Sequence, residues 1–421
     1  MEVKTMRKLH HMWGAGLFLM LLNFSAEAQW VQTNGPAEGI VLALVSYGTK
    51  LFAGTGGGGI FLSPNNGDNW IAANTGVTDL DISALVASDT NLFAGALTEG
   101  VFRSTDSGSM WTRTGLRCGA CAIYAFAVND TYLFAGGHHG DFSAAGGVYR
   151  SSDNGTQWTQ VTSGLVGTLG YTVRALVVNG CQTFAGLEES TGAFLSTNNG
   201  VRWTAVNSGL TNTNIRALLM NGTNLFAGTI GGGIFRSIDS GANWTPINSG
   251  LTNMDANAFA ASGANLFVGT DNGVFLSTDS GASWTTLSTG LPVKPYVTAL
   301  TVLGDNLFAA TWGYGVWRLP LSATFVQKPH NTSLTQFNFK LNSPNRFNHI
   351  LSLEFSLLRP EQVTAQIIDL SGHQIAALVN KHLGTGAHHV SWDTRNMALG
   401  SYILSFTAGG IKIDRKVLIV K

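Results

Sequence analysis

Short segments in which apolar residues alternate with small or polar ones follow one another along most of the chain. Ile82–Val86 and Ile215–Leu219 are examples, and each is followed by a Leu-Phe-Ala-Gly phrase, a glycine-containing turn and a further apolar segment. Alternation with a period of two is typical of β-strands, whereas an amphipathic helix repeats its apolar positions about every 3.6 residues. The pattern therefore predicts an all-β protein of short strands and tight turns.

The Leu-Phe-Ala-Gly phrase recurs with small changes, and its phenylalanines are spaced 41, 41, 50, 42, 41 and 41 residues apart. Each repeat holds four short β-type segments. Four strands in roughly 40–50 residues are typical of a β-propeller blade. The repeated phenylalanines are Phe52, Phe93, Phe134, Phe184, Phe226, Phe267 and Phe308.

A tryptophan opens the fourth strand of each repeat and predicts how the ring closes. The last repeat, which begins at Leu307, ends at Trp317-Arg-Leu-Pro with no Trp-Thr strand after it. A surplus strand lies at residues 29–33 instead. We therefore expect a seven-bladed β-propeller that is closed by the N-terminal strand, because this arrangement leaves no open sheet edge. The seven tryptophans are Trp30, Trp70, Trp111, Trp158, Trp203, Trp244 and Trp284.

The turn before the fourth strand carries the motif Ser-x-Asp/Asn-x-Gly-x-x-Trp in six repeats. The Asp or Asn side chain accepts bonds from turn amides, glycine supplies a left-handed residue, and tryptophan is expected to pack back over the hairpin. The motif resembles the Asp-box (BNR) repeats of sialidases, sortilin-type receptors, xyloglucan-cleaving propellers and photosystem-assembly factors. The resemblance implies a propeller over residues 29–320, with these hairpins as scaffold on the face away from any active site. The Asp-box positions are Asn65, Asp106, Asp153, Asn198, Asp239 and Asp279, with Trp70, Trp111, Trp158, Trp203, Trp244 and Trp284.

The composition excludes several classes of protein. Lys+Arg and Asp+Glu both number 24 among 421 residues, so the net charge is zero, and charged residues make up only 11%. This balance argues against a nucleic-acid partner and against polybasic membrane contact. A hydrophobic content of 44% argues against disorder, and three cysteines are too few for a disulfide-stapled miniprotein.

The first 28 residues have the features of a secretory signal peptide. Arg7 and Lys8 precede an apolar run over residues 14–24, and Ser-Ala-Glu-Ala follows it, ending at Ala28. A membrane anchor is the alternative, but the run is shorter than the roughly 20 residues of a spanning helix. We therefore expect cleavage after Ala28 and no membrane span in the mature chain.

A ligand site is expected where loops share a face. In a propeller, the loops between second and third strands lie beside those that join a fourth strand to the next blade; we call this the loop face. Arg117, Arg174 and Arg216 lie in three successive inter-blade connections there. Converging guanidinium groups bind a carboxylate or sulfate bidentately, as in the sialidase arginine triad, but the Arg-Ile-Pro motif of sialidases is missing. Solvated or packed arginines are the alternative. Further ligand-binding candidates are His138, His139, Asp141, Trp312 and Tyr314.

Carboxylates on the loop face are candidates for catalysis by position alone. Glycosidases need two acids roughly 5–10 Å apart, a distance that the sequence does not supply. His138, His139 and Asp141 lack a specific metal-ligand spacing, so a solvated loop tip is the simpler interpretation. We expect no metal and no cofactor. The candidate acids are Glu188, Glu189, Glu99, Asp81 and Asp255.

The cysteines and the other repeated arginines are expected to be structural. Cys118 and Cys121 form a single CxxC, which is compatible with a short-loop disulfide in an oxidising compartment and is poor evidence for zinc. Cys181 is predicted to be a small packed residue. A solvated stripe is predicted at one repeated third-strand position, which holds Arg103, Arg150, Arg236 and Arg318.

After Pro320 the repeat stops. Residues 321–336 read as a polar linker, and residues 337–421 as short strands with the size of an immunoglobulin-like sandwich. The segments Pro344-Asn345-Arg346-Phe347-Asn348 and Gly386–Asp393 resemble the type A sorting domain of the type IX secretion system, with Arg346 in place of a usual proline. The resemblance implies contact with that machinery and passage from the periplasm across a Gram-negative outer membrane. It also implies tail removal and release or surface attachment. A free-standing carbohydrate-binding module is the alternative.

These features together predict a secreted or cell-surface propeller that acts as a non-catalytic binding module for an extracellular glycan or protein. The alternative is a glycoside hydrolase, sialidase-like or xyloglucanase-like, that acts at the mouth of the propeller channel. Two carboxylates lining one cleft at hydrolytic spacing would favour the enzyme. Acids scattered over separate blades would favour the binding module.

Overall fold

The computed structural model describes the larger part of the chain, and its elements are β-strands. Two compact units, residues 1–326 and 327–421, are described separately. The predicted signal peptide and residues 322–336 of the predicted linker lie outside the described residues. The described ranges are 29–36, 39–88, 90–116, 121–139, 146–165, 172–189, 191–321, 337–341, 346–347, 350–357, 360–369, 373–395, 397–398, 400–408 and 411–419.

The described part of the first unit contains seven four-stranded antiparallel sheets. The chain begins with β1 (Val31–Gln32). The first sheet contains β2 (Ile40–Tyr47), β3 (Lys50–Gly56), β4 (Gly59–Ser63) and β5 (Ile71–Ala72). The second contains β6 (Ile82–Ala87), β7 (Leu92–Ala96), β8 (Val101–Ser104) and β9 (Thr112–Arg113). The third contains β10 (Cys121–Val128), β11 (Leu133–His139), β12 (Gly147–Ser151) and β13 (Thr159–Gln160).

The remaining sheets repeat this plan. The fourth contains β14 (Val173–Asn179), β15 (Gln182–Leu187), β16 (Gly192–Ser196) and β17 (Thr204–Ala205). The fifth contains β18 (Ile215–Asn221), β19 (Asn224–Thr229), β20 (Gly233–Ser237) and β21 (Thr245–Pro246). The sixth contains β22 (Ala256–Ser262), β23 (Asn265–Thr270), β24 (Gly273–Ser277) and β25 (Thr285–Thr286). The seventh contains β26 (Val297–Leu303), β27 (Asn306–Thr311), β28 (Gly315–Pro320) and β1.

The first strands of the sheets contact one another in chain order. β2 contacts β6, and the contacts continue through β10, β14, β18 and β22 to β26, which contacts β2 again. In the seventh sheet, the outer position belongs to β1, where Val31 pairs with Arg318 and Gln32 with Trp317. Residues 31–32 and 315–320 therefore share one sheet.

The repeated phrase Leu-Phe-Ala-Gly is explained by contacts between neighbouring sheets. The glycine leaves room for the next sheet: a Cβ on Gly54 would lie 2.6 Å from Ile82 Cγ2, and one on Gly95 would lie 2.7 Å from Ile123 Cγ2. Phe52 is fully buried, and a Cβ on Gly108 of the next sheet's turn would lie 2.5 Å from its ring. Close packing between sheets therefore explains why the phrase contains phenylalanine and glycine at these positions.

The turns before the fourth strands share one hydrogen-bond pattern. The Ser104 hydroxyl donates to Asp106 Oδ1 (2.8 Å) and accepts from the Gly108 amide (2.8 Å). Asp106 Oδ1 also accepts from the amide of Met110 at 2.9 Å. Two successive residues are left-handed, Ser107 at φ 61° and Gly108 at φ 88°. The sequence had assigned a left-handed conformation to the glycine alone.

The tryptophans and the repeated arginines join neighbouring sheets, which corrects one expectation and completes another. Instead of packing only over its own hairpin, Trp203 donates from Nε1 to the Val161 carbonyl of the preceding sheet at 2.7 Å. The predicted stripe of solvated arginines is half-exposed and also bonded: Arg150 donates to the Asn199 carbonyl of the next sheet at 2.7 Å. Equivalent bonds are made by Trp30, Trp244 and Trp284, and by Arg103, Arg236 and Arg318.

The described part of the second unit contains two sheets. The three-stranded sheet has the order β29-β31-β34 and contains β29 (Phe337–Leu341), β31 (Ile350–Leu357) and β34 (Gly386–Asp393). The five-stranded sheet has the order β30-β36-β35-β32-β33, with β30 (Arg346–Phe347), β32 (Glu361–Ile368), β33 (Gln374–Leu383), β35 (Gly400–Ala408) and β36 (Ile411–Ile419). Both sheets contribute to one core, for example through Phe355 and Phe406, whose rings lie 4.9 Å apart.

Candidate functional site

Each first strand begins with a β-bulge, and the bulges select the residues of the candidate site. In each of the seven sheets of the first unit the pairing register skips one residue, such as Arg174 between Val173 and Ala175. A bulge leaves the extra residue unpaired and re-aims its side chain, which is why bulges are common beside functional sites. The skipped residues are Leu42, Ser83, Tyr124, Arg174, Arg216, Asn257 and Thr298.

Leu42 is apolar and half-buried, and the other six residues divide into a structural group and a polar group. The hydroxyl of Ser83 donates to the Ile123 carbonyl at 2.5 Å, and the hydroxyl of Thr298 donates to the Val41 carbonyl at 2.7 Å. Both hydrogen bonds join the side chain to the next sheet, so the hydroxyl proton of each residue is already donated within the protein. Tyr124, Arg174, Arg216 and Asn257, on four successive sheets, contact other side chains instead. The chemistry of the loop face is therefore concentrated on sheets three to six.

Glu188 joins two of these arginines. Its Oε2 lies 2.8 Å from Arg174 Nε, in an ion pair whose N–H is not aligned for a hydrogen bond. Its Oε1 accepts a hydrogen bond from Arg216 Nη1 at 3.1 Å. The Arg174 guanidinium also stacks over the ring of Tyr124, 3.7 Å from its centroid, in a cation–π contact. We call Tyr124, Arg174, Glu188, Arg216 and Tyr296 the arginine cluster.

Tyr296 extends the arginine cluster toward the seventh sheet. Arg216 Nη2 donates to the Tyr296 hydroxyl at 3.1 Å, although the two residues belong to sheets that are not adjacent in the chain. Burial raises the pKa of Tyr296, and the negative charges of Asp271 and Asp255 act in the same direction, against the lowering effect of Arg216 and Arg174. Tyr296 therefore stays a neutral hydrogen-bonding group at physiological pH.

Trp312 packs against Tyr296. The ring centroids are 6.0 Å apart in an edge-to-face arrangement, and the Trp312 amide donates to the Tyr296 carbonyl at 2.9 Å. The indole is nevertheless 51% exposed. Tyr314, two residues further on, is 49% exposed and borders a groove of about 280 Å³ that Gln32, Thr33 and Pro36 also line. Both aromatic candidates from the sequence therefore lie on exposed surface.

The other candidate acids are spread over several sheets. Glu99, after β7, accepts a hydrogen bond from the Thr78 hydroxyl and lies 3.8 Å from Arg113. Glu189 is exposed with φ 60°, and Asp255 precedes β22. Asp81 precedes β6, and its carbonyl accepts from the Leu97 amide at 3.0 Å. Of the five candidate acids, Glu188 alone is in the arginine cluster.

Asp79, near these acids, has a structural role. Burial alone would raise its pKa, but hydrogen bonds from the Thr98 hydroxyl and from the amides of Asp81, Thr98 and Glu99 outweigh burial, and its pKa is lowered. The carboxylate therefore fixes the connection before β6 to the loop after β7.

Several sequence candidates lie apart from the cluster or outside the described residues. His138 Nδ1 is 3.4 Å from the Thr172 hydroxyl. Arg117, Cys118, Asp141 and the side chains of Cys121 and His139 lie outside the described residues, so the arginine triad and the disulfide stay predictions. Cys181 is exposed, so its predicted packed position is wrong. Among the described residues, no three His, Cys, Asp or Glu side chains are grouped to hold a metal ion.

Sequence reasoning missed Tyr124, Asn257 and Tyr296. The signal for the first two was present: the bulged residue is the variable x in the repeated phrase apolar-x-Ala-apolar at the start of each first strand. Tyr296 carries no such signal, because it precedes the strand and joins the cluster only through folding.

Asn257 Nδ2 donates to Asp271 Oδ1 at 2.7 Å, which adds a second polar pair to the site.

Two segments of the chain match protein-family models. Residues 167–306 match the DUF6242 beta propeller domain. Residues 343–421 match the secretion system C-terminal sorting domain, which implies secretion or cell-surface localisation through that machinery in Bacteroidetes-type bacteria. No curated protein sequence matches the chain. In the part of the chain that the structure describes, no helix has both the length and the apolar character needed to cross a membrane.

Several solved structures share the fold. YCF48 from Cyanidioschyzon merolae is 14% identical with a TM-score of 0.52, over 70% of this chain and 98% of that one. The extracellular domain of the putative hybrid two-component system BT4673 from B. thetaiotaomicron is 12% identical with a TM-score of 0.56, over 94% and 59%. PorZ, a surface component of the type-IX secretion system of Porphyromonas gingivalis, is 13% identical with a TM-score of 0.55, over 93% and 61%. This chain spans about three fifths of the last two, and these identities show the fold alone.

Proposed function

We propose that this chain is a secreted or cell-surface seven-bladed β-propeller with Asp-box turns, whose loop face binds an extracellular ligand without catalysing its conversion. The pairing of β1 with β28 and the cyclic contacts of the first strands support closure by the N-terminal strand. We retain the domain boundaries 1–28, 29–320, 321–336 and 337–421. The match of the tail to a sorting domain supports export by the type IX machinery.

The observation that carries the non-catalytic role is the position of Glu188 between two arginines. Both of its carboxylate oxygens face guanidinium groups, at 2.8 and 3.1 Å. A catalytic acid or nucleophile must present an oxygen to the substrate within hydrogen-bond reach. Glu188 instead holds Arg174 and Arg216 in place, which is the role of a positioning residue.

The cluster has the properties of a prepared recognition surface. Arg174 is fixed by Glu188 and by the Tyr124 ring, and Arg216 is fixed by Glu188 and the Tyr296 hydroxyl. The side chains of both arginines remain 25% and 30% exposed. Side chains that are ordered before binding lose less conformational entropy when a ligand arrives. The arrangement therefore favours binding at the arginine cluster.

The test is a binding and turnover screen of the purified full chain against extracellular polysaccharides, proteins and fluorogenic glycosides. We expect binding that weakens at least tenfold in Arg174→Ala. Binding should change less than twofold in Arg202→Ala, an exposed arginine beside a turn at the opposite end of the sheets. Equal binding by both variants would place the ligand elsewhere. Glycoside turnover that is lost in Glu188→Gln but kept in Asp130→Asn would overturn the non-catalytic role; Asp130 is an exposed acid in the turn between β10 and β11.

The export route has its own test. In a bacterium with a type IX system, the full chain should reach the cell surface or the medium. Deletion of residues 337–421 should leave it in the periplasm, as judged by fractionation. Surface delivery of the truncated chain would contradict the assignment of the tail.

A further inference from the structure

Two aromatic side chains stand out from the loop between β27 and β28. Trp312 is 51% exposed and Tyr314 is 49% exposed, whereas aromatic side chains of this size contribute most stability when buried. Gly313 and Gly315, both left-handed, flank Tyr314, so no further side chain covers the two rings from this loop. The Trp312 amide donates a hydrogen bond to the Tyr296 carbonyl, and the Trp312 ring packs edge-to-face against the Tyr296 ring. The loop therefore presents two aromatic surfaces on a rigid support.

Hydrogen-bonding groups lie beside each aromatic surface. Tyr296, with Arg216 on its hydroxyl, adjoins Trp312. The groove of about 280 Å³ beside Tyr314 is lined by Gln32, Thr33, Pro36 and four glycines. Tyr314 is the one large aromatic residue among these lining residues, so the groove offers no apolar pocket for the side chain of a peptide. Flat aromatic faces bordered by polar groups suit a ligand with an apolar face and hydroxyls at its edges.

The charges on this side of the loop face leave no excess of positive charge. Glu188 neutralises one charge of the Arg174 and Arg216 pair, and Asp271 lies close enough to Tyr296 to affect it while accepting a bond from Asn257. Asp255 adds a negative charge in the same surroundings. No excess positive charge is left among these described residues to attract an acidic ligand, and the chain as a whole has a net charge of zero.

We propose that the ligand of the loop face is a neutral oligosaccharide, with one sugar ring stacked on Trp312 and a further ring stacked on Tyr314 beside the groove. This inference rests on the proposed binding function and specifies its ligand class. The Tyr296 hydroxyl and the Asn257–Asp271 pair supply hydrogen bonds to the sugar at Trp312. Because the two rings belong to one loop, the site takes several linked sugars rather than a single one.

The experiment measures affinity by calorimetry for the full chain and neutral gluco-, manno- and xylo-oligosaccharides of one to six units, beside oligogalacturonides of the same lengths. We expect neutral chains to bind more tightly than the acidic ones, with an affinity that changes less than about twofold between low and high salt. Trp312→Ala should weaken binding at least tenfold at every length. Trp312→Phe should restore most of it, because a flat ring returns.

Tyr314→Ala should weaken only the longer chains. The matched control is Ile238→Ala, which removes an apolar side chain that is 71% exposed beside a turn at the opposite end of the sheets, and it should change affinity less than twofold. Binding of acidic chains alone, binding lost at high salt, or equal affinities in wild type and Trp312→Ala would overturn the inference. If no glycan binds but another ligand shows dependence on Arg174, this inference fails while the proposed function stands. If no ligand depends on Arg174 or on Trp312, both fail.

Discussion

The indole Nε1 of Trp30 donates a 2.6 Å hydrogen bond to the carbonyl of Leu287, 257 residues further along the chain. The Trp30 amide donates to the Thr289 carbonyl at 2.9 Å, beside the first bond. Trp203, Trp244 and Trp284 make the same two bonds to their own preceding sheets. Trp30 therefore stabilises the contact between the sixth and seventh sheets. Trp203, Trp244 and Trp284 stabilise the contacts of their own sheets with the preceding ones in the same way.

Trp30→Ala should destabilise the first unit by about 3–5 kcal/mol, because it removes a large buried side chain and leaves a cavity. Trp30 is only 2% exposed. Differential scanning calorimetry of the full chain measures the loss as a lower melting temperature. Trp312→Ala, at an exposed position, is the control and should change stability by about 0.5 kcal/mol or less. Equal melting temperatures for the two variants would show that β1 does not hold the seventh sheet.

Gly54→Ala should destabilise the fold by about 1–3 kcal/mol, since the added methyl overpacks a closed contact between sheets. Its Cβ would lie 2.6 Å from Ile82 Cγ2 and 2.9 Å from the Ile82 carbonyl oxygen. Gly384→Ala is the matched control, because a Cβ there meets nothing within 4 Å. Urea unfolding of both variants gives the comparison. A Gly54→Ala protein as stable as wild type would mean that neighbouring sheets separate easily.

Asp239→Asn should remove part of the acid sensitivity of folding. Hydrogen bonds, the largest from the Asn243 side chain and then from the Ser237 hydroxyl, lower the pKa of Asp239 from 3.8 to about 2. A group whose pKa is lowered in the folded state stabilises the fold at pH values above its unfolded-state pKa. This stabilisation is lost as the pH falls through the folded-state pKa of about 2. The melting temperature of wild type should therefore fall more steeply than that of the variant between these values. Parallel curves would contradict the assigned bonds.

Asn is a fitting replacement at position 239 because the equivalent turns already contain Asn65 and Asn198. Asn65 Oδ1 accepts from the Asn69 amide at 2.9 Å, as Asp106 Oδ1 accepts from Met110. The variant therefore keeps the turn amide bond but loses the titrating group and the bond that Asn243 Nδ2 donates to Asp239 Oδ2 at 2.9 Å. It should be less stable than wild type at neutral pH, and the difference should disappear as the pH falls through about 2.

Tyr296→Phe should make the protein less sensitive to alkali. Burial raises the pKa of Tyr296 above 10.0, so the unfolded chain loses this proton at lower pH than the folded one. The stabilisation is complete below the unfolded-state pKa and is lost as the pH rises through the folded-state value. Melting curves above about pH 10 measure the difference. Arg216→Ala should raise the pKa of Tyr296 further, and a lower pKa in that variant would contradict the 3.1 Å contact.

The sequence predicted the loop face better than it predicted the site on it. Arg174, Arg216, Trp312 and Tyr314 were recognised because they interrupt a repeat of small and apolar residues. The ion pairs of Glu188 with both arginines were not predictable, since they depend on where a bulge directs each side chain. The role of Tyr296 was not predictable for the same reason, because its partner Arg216 is 80 residues away in the sequence.

The interpretation of the repeated arginines was incomplete for a related cause. Their spacing showed that they are equivalent but gave no information about their partners. The structure pairs Arg150 with a carbonyl on the next sheet, 49 residues away, where a left-handed residue turns its oxygen outward. A solvated stripe and an inter-sheet bond have the same sequence pattern.

The sequence alone determined the β-propeller character and the sorting tail, because the strand period, the repeat length and the local turn chemistry are all properties of neighbouring residues. Only the tertiary structure decided what the loop face presents. There the bulged residues Arg174 and Arg216, from separate sheets, both meet Glu188, while Tyr124 stacks on Arg174 and Tyr296 bonds to Arg216. Such contacts depend on distances through space rather than along the chain.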